Sequence, residues 1–393
     1  MLSSQTPPRL ATLTVLTATA VLTLNMFLPS LPAMTQDLGT RASIMALAVS
    51  GYMLMSAVLQ LFLGPLSDRL GRRPVMLFAM AVYLVASLGC MVAQDITVFL
   101  TFRLMQGMVI AGSILSSAII RDQYAARDAA GKMGTIAAAM ALAPMLGPMI
   151  GGLLESTLGW RMIFALYSGL GAIALILVWA DLGETRTRPA GANRWVDYAA
   201  LLTSTAFWAY VLCQAFGVGA FYIFISGVPF VATQTYALSP ALIGVGLGSI
   251  TGGFMLGATL TSRLAPRLGL ARLIIAGRLI PSISLGFGLL AFALGLSHPL
   301  LLFAVTISVG IGNGLTLSNA NAGALSVRPD LAGTAAGLTG ALSLGIGAGL
   351  TWITALIVEN QATPAVLLAL MLTSVGLSFA AGLVAINRDS NAP

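Results

Sequence analysis

The stretch GPLSDRLGRRP, residues 64–74, holds four charged side chains in eleven positions. The chain around it is poor in charge: 8% of its 393 residues are charged and 58% are hydrophobic. Because a soluble chain carries roughly 25% charged residues, the composition indicates a protein whose main solvent is lipid. Two cysteines exclude a disulfide framework, and the single histidine, His298, cannot build a metal site.

Apolar runs flank this stretch on both sides and recur along the whole chain. A transmembrane helix needs about 20 apolar residues, and the sequence divides into twelve such runs. Their predicted limits are 10–31, 43–64, 75–93, 98–119, 132–154, 161–181, 199–225, 239–262, 272–294, 299–321, 333–356 and 364–386. The first run lacks a clean signal-peptide cleavage site and is interpreted as a retained span. The predicted fold class is therefore an all-α integral membrane protein.

Basic residues are sorted between the connections. Fifteen Lys and Arg residues lie in the even-numbered connections and the termini, whereas only Arg41 and Arg161 lie in the odd-numbered ones. Because basic loops stay cytoplasmic, both termini are predicted to be cytoplasmic. The net charge of +7 is then explained by cytoplasmic loops and does not indicate nucleic-acid binding.

A polar connection divides the chain into two similar parts. The segment 182–198 is predicted to be a cytoplasmic linker between an N-terminal six-helix bundle, 1–181, and a C-terminal one, 199–393. GPLSDRLGRRP aligns with SRLAPRLGLAR, 262–272, at an offset of 198, and both join spans 2 and 3 of their half. Repeats of this kind place a central site between pseudo-symmetric halves.

The residue types in 64–74 suit a surface loop that switches. Gly64 and Gly71 permit a tight turn and close helix approach. Asp68 lies among basic side chains and is well placed for an ion pair or for the positive end of a neighbouring helix. A contact that forms in one conformation and breaks in another would act as a latch. The alternative is a loop that only fixes topology and carries an incidental acid.

The stretch closely resembles the loop motif of the major facilitator superfamily, G-x-L-x-D-R-x-G-R-[KR], and lies in the connection where that family carries it. The resemblance implies the major facilitator fold. It also implies that the acid at Asp68 contacts the start of span 11, near 328–337, in the outward-open state. The expected conformational motif is Gly64, Asp68, Arg69, Gly71, Arg72, Arg73 and Asp122.

Span 5 contains APMLGPMIGG, 143–152. Proline bends a helix and glycine allows close helix packing, so this face could rock against a partner; the alternative is an ordinary kinked span. The string resembles the G-P-x-x-G-G element of the drug:proton antiporters, which implies export. The expected antiporter motif is Pro144, Gly147, Pro148, Gly151 and Gly152. The strings NMFLPSLPAM, IIRDQY, GETR and LAGTAAGL resemble the Bcr/CflA-type multidrug exporters within this group, which implies a bacterial inner membrane.

Span 4 places Arg103 inside the membrane, where a charge marks a transport pathway or extends to the interface. The resemblance ties Arg103 and Gly107 to proton coupling and implies an acid in span 1, where this chain has Asn25. Asn25 is expected near Arg103 and could hydrogen-bond to it. All twelve acids lie in loops or at span ends. Coupling could therefore use Asp122 or another edge acid, the substrate could carry the proton, or transport could be uncoupled.

The resemblance implies a central cavity lined by spans 1, 4, 7 and 10. Aromatic and Met walls adapt to varied apolar ligands, and a few polar groups orient them. Neutral, zwitterionic or anionic amphipaths fit Arg103 better than an obligate cation does. The candidate substrate-binding residues are Asn25, Tyr52, Arg103, Gln106, Tyr210, Gln214, Tyr222 and Asn313.

The function predicted from these features is export of small amphipathic drugs or metabolites by rocker-switch alternating access with proton antiport. The alternatives are a dedicated exporter or facilitator of one metabolite, such as a siderophore, sugar or amino-acid derivative, and a non-transporting membrane sensor. An enzyme is not expected, because no nucleophile–base set has a usable context. The expected partners are a small-molecule substrate, membrane lipids and protons, with no cofactor and no nucleic acid, and the chain is expected to be a monomer.

Overall fold

Long helices make up nearly all of the computed structural model, which describes residues 8–124, 126–185 and 199–389. Within those residues, eleven helices are long and apolar enough to cross a membrane. The longest, Pro240–Ala293, is interrupted at Gly269, whose φ of 75° and ψ of 167° are not helical. It therefore supplies two crossings, and the prediction of twelve spans in an all-α membrane protein is confirmed.

The twelve spans are numbered in chain order. Their limits are Leu10–Asp37, Ala42–Leu70, Arg72–Val92, Ile96–Gln123, Ala126–Leu158, Arg161–Asp181, Thr205–Tyr236, 240–268, 270–293, Pro299–Ser326, Pro329–Asn360 and Pro364–Asp389. Span 1 is a helix, Leu10–Asn25, followed by a 3-10 turn, Leu28–Ser30, and a short helix, Leu31–Asp37. Span 4 also changes to 3-10 geometry, at Gln106–Val109.

Span 7 differs most from its predicted limits of 199–225. Its helix begins at Thr205, after Ser204, whose hydroxyl accepts a hydrogen bond from the backbone N–H of Phe207 at 3.3 Å. It continues to Tyr236, so the predicted end before the SGVP sequence is wrong. Pro229 interrupts the backbone hydrogen bonds locally, but the residues around it are buried in the bundle and apolar burial keeps the helix intact.

Other helices also extend past their predicted limits, because hydropathy marks the bilayer and not the end of the helix. Span 2 continues to Leu70, so Gly64 lies inside a helix and its predicted place in a turn is wrong. The turn is made at Gly71, whose φ of 100° and ψ of 152° are readily adopted only by glycine.

The internal repeat is visible at this turn. Gly71 and Gly269 both have positive φ, 100° and 75°, and they occupy the positions that the 198-residue offset aligns. Six spans lie on either side of residues 186–198, which are outside the described residues together with most of the predicted linker 182–198. The division into bundles 1–181 and 199–393 stays a prediction.

The two groups of six spans pack tightly against each other at one end. We call the end that carries 64–74 the basic end, and the end that carries Asp37 and Arg161 the opposite end. Near the opposite end, a Cβ on Gly248 of span 8 would stand 2.8 Å from the Met145 carbonyl oxygen of span 5. Farther out at the same end, the Ser43 N–H donates to Glu359 Oε2 at 2.9 Å and joins spans 2 and 11.

Span 11 has free space beside it at the basic end. No atom lies within 4 Å of the positions that a Cβ would take on Gly333 and Gly337, other than those of the helix itself. The halves are thus closed against each other at the opposite end and leave room around the start of span 11.

Candidate functional site

Arg103 lies inside the N-terminal group of spans with its side chain 0% exposed. Its Nε donates to the Ala48 carbonyl at 3.0 Å, its Nη1 to Gln106 Oε1 at 2.6 Å and its Nη2 to the Thr23 carbonyl at 2.8 Å. These bonds join span 4 to spans 1 and 2. Each guanidinium nitrogen therefore has a protein partner.

Two aromatic rings enclose the same guanidinium group. Its central carbon lies 4.2 Å from the ring centroid of Phe27 and 4.6 Å from that of Tyr52. Gln106 extends the network to span 3, because its Nε2 donates to Ser87 Oγ at 2.8 Å. The prediction that Arg103 faces the cavity is wrong in this state, since its hydrogen bonds and stacking surfaces are used within the bundle.

Asn25 does not pair with Arg103, and the hydrogen bond considered between them is absent. Its Nδ2 donates to the Val21 carbonyl at 2.8 Å, while its Oδ1 is buried without a partner. The first helix of span 1 ends at Asn25. That break presents the Thr23 carbonyl, and not the Asn25 side chain, to Arg103.

A second buried arginine, Arg278, lies in span 9 and was missed by the sequence reasoning. It is 0% exposed. Its Nε donates to Thr316 Oγ1 at 3.0 Å, and its Nη2 to the Gly312 carbonyl and to Asn313 Oδ1, each at 3.0 Å. Its Nη1 is buried without a partner. The signal that could have found it is the same as for Arg103: a charge within an apolar run.

The remaining candidate cavity residues are mostly covered by neighbouring spans. The Tyr210 ring packs on Gly323 of span 10, and the Tyr222 ring packs on Gly347 of span 11. Gln214 is half-buried, with its Oε1 covered and without a partner. The predicted residues that are buried are Asn25, Tyr52, Arg103, Gln106, Tyr210, Tyr222 and Asn313.

The loop motif is centred on Arg72. Its Nη2 lies 2.8 Å from Asp68 Oδ1 and 3.2 Å from Asp122 Oδ2, and its Nη1 donates to Ser67 Oγ. This arrangement joins the ends of spans 2 and 4 to the start of span 3. The resemblance implied a contact of Asp68 with the start of span 11 in the outward-open state, and in this state Asp68 pairs with Arg72.

Glu184, from the GETR sequence after span 6, caps the start of span 3. Its carboxylate accepts hydrogen bonds from the backbone N–H groups of Arg72 at 2.9 Å and Arg73 at 3.4 Å. Arg73 Nη2 in turn donates to the Trp179 carbonyl at 2.9 Å. Negative charge at a helix N-terminus is stabilising, so Glu184 fixes span 6 to the loop motif. No local pattern predicts this contact, because it joins residues more than 100 positions apart.

The glycine face of span 5 lies between span 1 and span 8. A Cβ on Gly147 would stand 3.3 Å from Leu22 Cδ2, and one on Gly151 would overlap the Met26 carbonyl oxygen. Gly152 packs on the Pro240 carbonyl of span 8. Pro144 and Pro148 lie inside the same helix. Span 5 thus contacts a neighbour in its own half and a span of the other half along one short segment.

Glu155 lies one turn beyond this glycine face, at the opposite end. It is half-buried, its Oε2 has no partner, and the hydroxyl of Ser30 lies beside it. The acid next to it, Asp37, is already paired with Arg161 at 2.5 Å and with the Trp160 indole at 3.0 Å. Glu155 is therefore an acid with a covered oxygen that no basic group neutralises within the described residues.

Known proteins are similar to this chain in sequence and in fold. The family model described as Major Facilitator Superfamily matches residues 13–351. The chain is 33% identical to the chloramphenicol resistance protein of Pseudomonas aeruginosa, over 91% of this chain and 86% of that protein. It is 27% identical to the multidrug transporter MdfA of Yersinia pestis, over 73% of this chain and 77% of that one.

Solved structures agree on the fold at low sequence identity. The nucleoside transporter NupG superimposes with a TM-score of 0.75 at 14% identity, over 96% of this chain and 99% of that one. A D-xylose–proton symporter gives 0.75 at 13% identity, over 96% of each chain. The helical architecture, the loop motif and these matches lead to one assignment: the chain belongs to the Major Facilitator Superfamily of membrane transporters.

Proposed function

We propose that this chain exports small amphipathic drugs or metabolites from the cytoplasm by rocker-switch alternating access. The observation that carries the proposal is the glycine face of span 5, which packs on the Met26 carbonyl of span 1 and on the Pro240 carbonyl of span 8. A smooth contact between the halves can open and close without repacking long side chains. The names of the relatives, a chloramphenicol resistance protein and a multidrug transporter, support drugs as substrates.

The basic end is proposed to face the cytoplasm of a bacterial inner membrane, since basic loops stay on that side. The opposite end, which is closed, then faces outward. On this reading the structure is an inward-facing state that takes up substrate from the cytoplasm or the inner leaflet. The chain is proposed to work as a monomer with both termini cytoplasmic.

Glu155 is the acid that we propose to take up the coupled proton. A half-buried carboxylate with one covered oxygen and no basic partner is unfavourable while it is charged, and a proton reduces that penalty. Closure of the outer end therefore favours protonated Glu155, and opening exposes the group to outside water. An outside proton therefore promotes the return to the inward-facing state, and antiport further requires that substrate binding in that state drive the proton off Glu155 toward the cytoplasm. Asp122, the edge acid considered from the sequence, is engaged by Arg72 and is less suited.

Export is tested in a bacterial strain that lacks its own drug exporters and expresses this chain. We expect less chloramphenicol to accumulate with the wild type than with Gly152→Leu, which places a side chain against the Pro240 carbonyl and stops movement between the halves. A panel of unrelated antibiotics measures substrate breadth. Export of a single metabolite would favour the dedicated exporter. Equal accumulation of every compound in cells with the wild type and in cells without this chain would reject drug export.

A further inference from the structure

Ser30 carries a buried hydroxyl group at the break in span 1. The residue is 0% exposed, and its Oγ has no hydrogen-bond partner within the described residues. Other buried serines of the spans, such as Ser50 and Ser87, donate to a carbonyl of their own helix. Ser30 instead ends the 3-10 turn Leu28–Ser30. Since a buried polar group without a partner is unfavourable, this hydroxyl is expected to bond in another step of the transport cycle.

Glu155 is the neighbour of this hydroxyl. Spans 1 and 5 run in the same direction, and a Cβ on Gly151 of span 5 would overlap the Met26 carbonyl oxygen of span 1. Four residues farther along each span, Ser30 lies beside the Glu155 carboxylate, whose Oε2 is also unpaired among the described residues. Glu155 is half-buried and borders accessible space, although Ser30 itself is covered. A serine hydroxyl can donate to a carboxylate or accept from a carboxylic acid.

The turn Leu28–Ser30 lies between the two groups of six spans at the opposite end. It contacts span 5 of its own group and, in the other group, span 7 and the helix Pro240–Ala293. Opening of this end separates the two groups there, so it changes the surroundings of Ser30 and Glu155 together. The pair is therefore placed where the state of the outer end determines access to it.

Few charged groups surround Glu155. Asp37 lies near it but is paired with Arg161. Span 7, 205–236, has no charged residue, and the helix Pro240–Ala293 has none over 240–262 and 279–293. Among the groups beside Glu155 in the described part of the chain, the donor that can stabilise a charged carboxylate is the hydroxyl of Ser30.

Phe27 fixes the same turn on its other side. Its ring centroid lies 4.2 Å from the central carbon of Arg103, and its carbonyl accepts a hydrogen bond from the Ser30 N–H at 2.9 Å. The backbone of the turn is thus attached to the network around Arg103. A donor that is already held in place needs little reorganisation when charge develops beside it.

We propose that Ser30 is a positioning residue for the coupled proton: its hydroxyl donates to Glu155 when the acid is charged and so sets the pH at which Glu155 exchanges its proton. The proton itself passes between Glu155 and water, and Ser30 keeps its own hydroxyl proton. The bond forms when the acid loses its proton, because hydrogen bonds to a charged acceptor are stronger than those to a neutral one. The inference deepens the proposed function and rests on Glu155 as its proton-binding acid.

The test measures the protonation of Glu155 without transport. Dicyclohexylcarbodiimide reacts with protonated carboxyl groups in apolar surroundings, and mass spectrometry of the purified protein in nanodiscs gives the labelled fraction of Glu155 at each pH. We expect Ser30→Ala to raise the pH of half-maximal labelling by about one unit, a tenfold change in proton affinity. Ser343→Ala is the matched control, because it also removes a buried hydroxyl that has no partner in the described residues, but on span 11. It should leave the midpoint unchanged.

Ser30→Cys provides a second variant, because a thiol is a weaker donor than a hydroxyl, and it decides the question if Ser30→Ala does not fold. Its midpoint should also move to higher pH. An unchanged midpoint in the folded variants would overturn the inference, as would a wild type whose Glu155 is not labelled at any pH at which the protein stays folded. Drug export with an unchanged midpoint rejects the inference and retains the proposed function. A shifted midpoint without drug export in cells retains the role of Ser30 and rejects the proposed function.

Discussion

Arg103 is held by contacts that a guanidinium group can make simultaneously in different directions. The planar fork reaches Thr23, Ala48 and Gln106 while its faces contact two rings. A lysine ammonium has the charge but not this geometry. We expect Arg103→Lys and Arg103→Ala to abolish transport and to lower the free energy of unfolding by about 1.5–3 kcal/mol, the value of a hydrogen bond to a charged group.

Thermal unfolding in nanodiscs and drug accumulation in cells measure these effects. Arg41→Ala is the control, because Arg41 forms a long, exposed ion pair with Glu359 at 3.7 Å, and such pairs contribute about 0–1 kcal/mol. If Arg103→Lys keeps wild-type stability and transport, then the positive charge, and not the planar geometry of the guanidinium group, is required at this position.

The second prediction at the residue scale concerns Glu155. Glu155→Gln resembles the protonated side chain and cannot exchange a proton, so transport should lose its dependence on a pH gradient while substrate still binds. Uptake into proteoliposomes with and without an imposed gradient measures this. Glu359→Gln is the control at the same end, because Glu359 already has the Ser43 N–H and Arg41 as partners.

Asn25→Asp extends this experiment, because relatives are expected to have an acid at that position. A carboxylate there would be a buried acid two residues from Thr23, whose carbonyl binds Arg103, and should strengthen gradient dependence, also in the Glu155→Gln background. If Glu155→Gln keeps full gradient dependence, the proton site lies elsewhere, and Asp122→Asn becomes the next variant to measure.

At the scale of elements, the start of span 3 depends on a glycine and a distant acid. Gly71 has a φ of 100°, and a Cβ there would overlap the Glu184 carboxylate. Gly71→Ala should therefore combine backbone strain of about 1–3 kcal/mol with loss of the cap. Gly39 is the matched control: its φ is +56° and no atom lies within 4 Å of its Cβ position, so Gly39→Ala has strain alone.

Thermal unfolding of both variants, alone and with Glu184→Ala, separates the two effects. Removal of the carboxylate should relieve the overlap, so Gly71→Ala and Glu184→Ala should destabilise less together than the sum of the single changes. Equal melting temperatures for Gly71→Ala and Gly39→Ala would show that the contact with Glu184 contributes nothing.

The glycine face of span 5 allows a more specific prediction than the two prolines that bend the same helix. Even a methyl group on Gly151 would overlap the Met26 carbonyl oxygen, whereas Gly169 in span 6 has open space. We expect Gly151→Ala to insert into the membrane but to transport poorly, because the outer end of span 1 must shift to accommodate it. Gly169→Ala should transport normally. Full transport by Gly151→Ala would show that spans 1 and 5 need not approach so closely during the cycle.

The elements also show what a sequence can and cannot predict. Twelve spans were predictable because hydropathy adds up over about 20 residues, and Gly71 was predictable because a charged turn between two spans needs a glycine. The partners of Arg278 were not predictable, since Gly312, Asn313 and Thr316 lie on another span, 34 to 38 positions away. The side of span 4 on which Arg103 lies was not predictable, because the sequence places a charge at a depth but not on a side of the helix.

At the scale of the whole molecule, the two ends are connected by rigid spans, so a contact at one end affects the population of both states. Spans 2 and 11 meet at the opposite end through Ser43 and Glu359, whereas the start of span 11 has open space beside it. Asp68, near the basic end of span 2, pairs with Arg72 in this state. We propose that the start of span 11 approaches when that end closes, and that its backbone N–H groups then offer Asp68 a second partner.

Asp68→Asn should therefore change the balance between states and not the substrate site. We expect transport to fall sharply while equilibrium binding of chloramphenicol stays within about threefold, or about 0.65 kcal/mol. Asp128→Asn is the control at the same end, because Asp128 is exposed in the first turn of span 5 and lies on neither span 2 nor span 11. A large loss of affinity with normal cycling would place Asp68 in the binding site. Normal transport by Asp68→Asn would show that Arg72 and Asp122 hold the loop without it.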